Sequence, residues 1–351
     1  MRETTLGKRE RIGKIVLIIC AALASAGAIM GLTNGPLEIT LGELLQILTG
    51  TGDPSVVKEG VIFNIRMPRI LLGFFAGATL GAAGATMQGF FRNPLADPGL
   101  IGVSAGAALS AVTVIVLGGA FLGTVAAILG PFTLPVAAFF GSLFVVFLIY
   151  RVSVSEGRVI VATMLLAGVA ANALAGSGIG FMTFLADDQQ LRDLTFWTLG
   201  TVGAATWGRV IPAILLMAIS IIGILPLARP LNALLFGEDD ASALGVDVEA
   251  LKRRAALLTA LGVGAATAVC GIVGFVGLVV PHLIRLVSGP DHRFVLPGSA
   301  LLGGALVLGA DLVARLAVAP AELPLGVVTA AIGAPFFFWL LLRDKARSSL
   351  G

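Results

Sequence analysis

Two cysteines, two histidines and a single tyrosine occur among 351 residues, and only 12% of the chain is charged. Cys20 and Cys270 both fall in apolar runs, where a thiol behaves as a small hydrophobe, so neither a disulfide framework nor a metal site follows. His282 and His292 have no acid at metal-ligand spacing, and no cofactor of the chain's own is expected. Gly7-Lys8 and Gly13-Lys14 lack the Ser/Thr and the flanking glycines of a P-loop, so any uphill work needs ATP and Mg held by another chain. One tyrosine, 7% aromatics and apolar runs without alternation argue against a β-barrel. No nucleic-acid partner is expected.

What the chain has is apolar bulk. It is 57% hydrophobic with a mean hydropathy of +1.01, too much for a water-soluble core, so its solvent is a lipid bilayer. A spanning helix takes about 20 residues, and apolar segments fall near 15–33, 68–89, 99–117, 121–149, 159–184, 209–228, 255–273, 275–287, 296–318 and 324–342. The fold class is therefore an all-α polytopic membrane protein of about ten spans, with residues 1–351 as one transmembrane domain. Ala24-Ser-Ala26 weakly resembles a signal cleavage site, but the run is long enough to cross, so an uncleaved first span is expected. Pro131 and Pro135 divide 121–149 into a loop or short helix and a span. The stretch 275–287, with Gly277 and Pro281, reads as a half-span buried among other helices. The 46 glycines suit close helix packing.

Ten spans place 17 of the 23 Lys and Arg residues on one side, including Arg2, Arg92, Arg151, Arg229 and Arg293. The positive-inside bias makes that side, with both termini, cytoplasmic. It also makes cytoplasmic the longest polar stretch, 237–254. There Glu238, Asp239 and Asp240 occupy a first helical turn, and Gly245 after Leu244 signals a C-cap. A second short helix from Val248 is expected to end in Lys252-Arg253-Arg254. Two capped helices exceed what a connector requires, and a docking platform is favoured over a solvated loop. Asp311, with Arg315 one turn later, is the clearest intramembrane acid; an internal pair and a functional role both stay open.

Several motifs occur in order: Arg66-Met-Pro-Arg69, Arg92-Asn-Pro-Leu-Ala-Asp-Pro98, Gly274-Phe-Val-Gly-Leu-Val-Val-Pro-His-Leu-Ile-Arg285 and Glu322-Leu-Pro-Leu-Gly326. Together they closely resemble the permease subunits of type II ABC importers for iron-siderophores, heme and cobalamin, over residues 60 to 342. The resemblance implies a homodimer in the bacterial inner membrane, with two cytoplasmic ATPase subunits below and a periplasmic substrate-binding protein above.

It also assigns roles. Glu238, Asp239, Ala241, Leu244 and Gly245 are implied to couple to the ATPase. Arg66, Arg69 and Arg315 are implied to dock the binding protein, a use suited to guanidinium forks; snorkelling is the alternative. Asn93 and Leu95 match gate positions of the translocation path, with Thr163, Ser153 and Ser155 as looser candidates. The Gln190-Leu-Arg-Asp-Leu-Thr-Phe-Trp197 run looks most like heme permeases, with Arg192 facing a propionate at the outer mouth. Heme is the favoured cargo, with a siderophore or cobalamin as the alternative. An ion-coupled secondary transporter and a receptor scaffold are the rivals from other classes.

Overall fold

A computed structural model describes residues 5–52, 55–121 and 123–348; Arg2 lies outside them. Sixteen α-helices follow one another among the described residues. They are α1 (Thr5–Thr33), α2 (Leu41–Thr49), α3 (Val56–Val61), α4 (Met67–Phe90), α5 (Val103–Phe121), α6 (Gly123–Leu129), α7 (Thr133–Ser153) and α8 (Val161–Leu185). Then come α9 (Asp188–Leu199), α10 (Trp207–Ile224), α11 (Ala228–Leu234), α12 (Glu238–Ala243), α13 (Val248–Cys270), α14 (Val276–Ser288), α15 (His292–Leu316) and α16 (Leu325–Ser348). A two-stranded antiparallel hairpin, β1 (Val154–Ser155) and β2 (Arg158–Val159), joins α7 to α8.

Seven helical stretches are long and apolar enough to cross a bilayer, and Val103–Gly119, Val276–Ser288 and Leu325–Trp339 are shorter apolar helices. These ten coincide with the ten apolar segments of the sequence. As expected, α14 is short, and a non-helical stretch at 271–275 separates it from α13. Phe275 there adopts a positive φ of 67°.

The core is built around α4, whose apolar window is 83% buried, against 17% for that of α8. The close approach of α4 to α15 sets this arrangement. A Cβ on Gly77 would collide with the carbonyl of Gly303, and one on Gly303 with the carbonyl of Gly77. Lipid supplies no hydrophobic drive between helices, so such backbone proximity, with its dispersion contacts, is what holds spans together.

One part of the sequence reading changes. Helix α13 runs unbroken from Val248 to Cys270, so Lys252-Arg253-Arg254 ends no separate helix. The polar start of a span and the platform are one continuous element, because nothing after Arg254 breaks the helical hydrogen bonding. Pro68 lies in the first turn of α4, and the helix upstream runs into it without a break. The chain is helical from Val56 to Phe90, with a π-turn over Ile62–Arg66 just before the proline. Proline lacks the N–H for an i−4 bond, and the Met67 N–H reaches the Ile62 carbonyl one residue further back. The amphipathic α2 and the capped α9 were not resolved as helices in the sequence; Thr40 and Asp187 close capping boxes at their starts.

Candidate functional site

The buried charged residues of the bundle gather at its two ends. At one end, Arg69 on the first turn of α4 reaches two acids. Its Nε and Nη2 donate to Asp311 Oδ1 at 3.0 and 2.8 Å, and its Nη1 and Nη2 donate to Glu322 Oε1 and Oε2, both at 2.9 Å. Arg315 Nε approaches Asp311 Oδ2 at 3.2 Å as an ion pair, and its Nη1 donates to the Asn34 carbonyl at 3.4 Å. Arg66 turns its guanidinium toward the end of α1, donating to the carbonyls of Leu32, Thr33 and Leu37. A helix C-terminus leaves its last carbonyls without partners, and a cation there satisfies both the bonds and the dipole. Glu322 is outside the spanning segments, and the Arg69 guanidinium holds its carboxyl below the usual range.

These arginines are thus engaged within the chain: Arg66 and Arg69 are buried, and Arg315 is half-buried. The signal lay in Asp311, because an acid inside an apolar bundle needs cations. The pairing of Asp311 with Arg315 is as the i,i+4 spacing indicates. That Asp311 shares its charge with Arg69 was hidden by 242 positions of sequence. Arg192 is at this end too, exposed on α9 and hydrogen-bonded to Gln189 Oε1 at 3.0 Å.

At the opposite end, α4 stops where Arg92 takes a left-handed φ of 49°. Leu95 N then donates to Asn93 Oδ1 at 2.9 Å, the turn chemistry expected of Asn-Pro-Leu. Asn93 and Leu95 are exposed, and Leu95 borders a crevice with His282, Phe336 and Phe337. His282 meets Phe336 edge-on, and His292 is buried with Nδ1 2.8 Å from Asn232 Oδ1. Both rings are thus in contact with other side chains of this chain. Thr163 is half-buried in the first turn of α8, and Ser153 donates to the Ile149 carbonyl of its own helix.

Helix α12 lies at this same end. Val246 N bonds the Ala241 carbonyl at 3.0 Å and Gly245 N the Ser242 carbonyl at 2.9 Å, with Gly245 at φ 84°. This closes the helix as the glycine signalled. Ala241 is fully buried, which fixes the inner face, while Asp239 is exposed and Leu244 is 68% exposed. Phe236 just before the helix is 74% exposed. An apolar pair projecting from a short polar helix is a surface shaped for a partner.

The FecCD transport family matches residues 22–343. The chain belongs to that family. Among its relatives is a hemin transport system permease, HmuU of Yersinia pestis, 43% identical over 345 residues, covering 95% of this chain and 96% of the relative. The cobalamin import system permease BtuC of Halobacterium salinarum is 41% identical, covering 88% and 77%. A solved inward-facing structure of an ABC transporter of the metal-chelate type superposes with a TM-score of 0.81 at 27% identity, over 94% of this chain and 99% of the other. The protein is a multi-pass membrane permease of the ABC-transporter kind.

Within this permease one connection escaped sequence reading. Lys252, expected at the polar end of a short helix, is 1% exposed. It donates to Glu238 Oε2 at 2.8 Å, Glu249 Oε1 at 3.2 Å and the Val159 carbonyl at 3.0 Å. Only the Glu249–Lys252 spacing of three could have hinted at it.

Proposed function

We propose that this chain is the permease subunit of an inner-membrane ABC importer that carries heme from periplasm to cytoplasm by alternating access. The observation carrying the cargo is the 43% identity to the hemin permease across nearly the whole of both chains. The 41% identity to a cobalamin permease favours cobalamin as the second reading, and a siderophore remains the third. In this reading α12 and Leu244 couple to two cytoplasmic ATPase subunits that hold ATP and Mg. The chain pairs with a second copy along faces such as that of α8, where Leu166, Leu174, Phe181 and Phe184 are exposed in the single chain. A periplasmic binding protein meets the end that carries Arg66, Arg69 and Arg315, and both termini are cytoplasmic.

Alternating access needs two global states that a partner biases unequally. Closure of an ATPase pair supplies that bias at α12, and a turn such as Asn93–Leu95 narrows the path by bulk alone. The rival ion-coupled carrier is disfavoured because Asp311, the clearest intramembrane acid, is held between Arg69 and Arg315 within the chain itself.

The test is uptake into liposomes holding the permease with its ATPase. Binding protein loaded with heme, cobalamin or a siderophore is supplied outside. Heme uptake that requires ATP is expected; uptake of another cargo alone overturns the heme assignment, and uptake without ATP overturns the importer.

A further inference from the structure

Lys252 joins three parts of the permease that are separate in sequence. Its ammonium lies between Glu238 on α12, Glu249 on its own helix α13, and the Val159 carbonyl at the end of β2. The Val159 N–H donates in turn to Glu249 Oε2 at 2.8 Å. Both main-chain groups of Val159 are therefore held from α13, one by a cation and one by a carboxylate. Two residues later α8 begins, and Ile160, its first flank, supplies no side-chain cap. The start of α8 is consequently held by this clamp together with the Ile160 N–H bond to the Ser153 carbonyl.

A buried ammonium is costly unless all three of its protons find acceptors, and here all three do. Such a group tolerates little independent movement of its partners, because separating any one leaves a charge buried and unpaired. α8 packs on one side against α5 and α7, and its apolar window is only 17% buried in the single chain; its start is the part of it that faces this clamp. A displacement at α12 passes through Glu238 to Lys252, and from Lys252 and Glu249 to Val159. It arrives at the helix that carries Thr163.

We infer that the Glu238–Lys252–Glu249 clamp on Val159 is the strut that conveys movement of α12 to the start of α8. This rests on the reading of α12 as the coupling helix. Lys252 and Glu249 are positioning residues in it, since neither needs to touch cargo or nucleotide.

The experiment uses the full permease with its ATPase in liposomes, with Glu238→Gln, Glu249→Gln and Lys252→Met. Each isosteric Gln variant should move about tenfold less cargo per ATP hydrolysed, the scale of an ordinary coupling free energy, and Glu249→Gln, which lies outside the ATPase-facing helix, should assemble and hydrolyse ATP as the parent does. Combining either with Lys252→Met should cost little more than the single change, because the residues act as one unit. Equal cargo per ATP in parent and Gln variants overturns the strut. A second measurement needs no ATPase and keeps the inference testable if Lys252→Met fails to fold. Spin labels at the exposed Glu156 and Asp240 report the distance between hairpin and α12. A narrow distribution in the parent that broadens in both Gln variants is expected, and an unchanged distribution overturns the strut. Failure of the parent to transport with ATP would count against the importer reading, while the label distances still decide the strut.

Discussion

Arg69 and Asp311 lie 242 residues apart in the chain and are joined by three hydrogen bonds, from Arg69 Nε to both carboxylate oxygens and from Nη2 to Oδ1. The pair ties the start of α4 to the end of α15, the two helices that also meet through Gly77 and Gly303. One contact is electrostatic and the other steric, and both hold the same two spans.

Asp311→Asn should therefore destabilise the whole permease rather than one loop. Removing a buried acid leaves the Arg69 charge supported by Glu322 alone, and breaking a buried pair costs about 3–5 kcal/mol. Thermal unfolding in detergent should show a large fall. A midpoint unchanged from the parent would contradict the pairing.

Glu322 gives a pH dependence of defined sign. Its folded-state pKa is depressed by Arg69, so its contribution is present above the ordinary carboxylate pKa and is lost as pH falls through the depressed value. Thermal stability of the parent should drop on acidification into that range, and Glu322→Gln should flatten this part of the profile. The side chain is 45% exposed, so the effect is smaller than that of Asp311→Asn. A profile that Glu322→Gln leaves unaltered would refute the assignment.

Leu244→Ser removes an exposed apolar knob while leaving the buried face at Ala241 intact. Its folding stability should match the parent within about 0.5 kcal/mol, as for surface changes generally. Co-purification of the ATPase subunit should fall sharply. Full retention of the ATPase would remove Leu244 from the coupling surface.

Gly77→Leu places a side chain where the Gly303 carbonyl already is. Overpacking typically costs about 1–3 kcal/mol and more where backbone must move. The variant should lose folded protein in detergent, as seen by size-exclusion chromatography. A stable monodisperse product would mean that α4 and α15 are not packed as described.

The ten spans were legible because hydrophobicity in lipid is a strong, local signal, and the proline pair at 131 and 135 marked its division correctly. The Gly245 cap was legible for the same reason: a turn that requires positive φ leaves a glycine behind. What sequence could not show is which distant charges share a partner. Arg66 and Arg69, three apart near the start of a span, offer the same pattern whether they face outward or turn toward carbonyls and acids across the bundle. Lys252 was similarly masked, since a lysine beside two arginines follows the positive-inside pattern whatever its burial. The Val248 helix was misjudged because a change of polarity at Arg254 is not a change of backbone.

The grip on Val159 has a consequence for how this part of the molecule can vary. Both contacts fall on peptide atoms, and neither depends on the isopropyl group. Residue 159 is therefore open to exchange among side chains that fit its buried site, and only proline, lacking the N–H, would by its chemistry remove a bond. Two permeases could differ at every hairpin residue and still share the same linkage, provided the lysine and glutamate of α13 are kept. Comparison of hairpin side chains would miss such a linkage, because what is preserved there is a backbone position and not a residue.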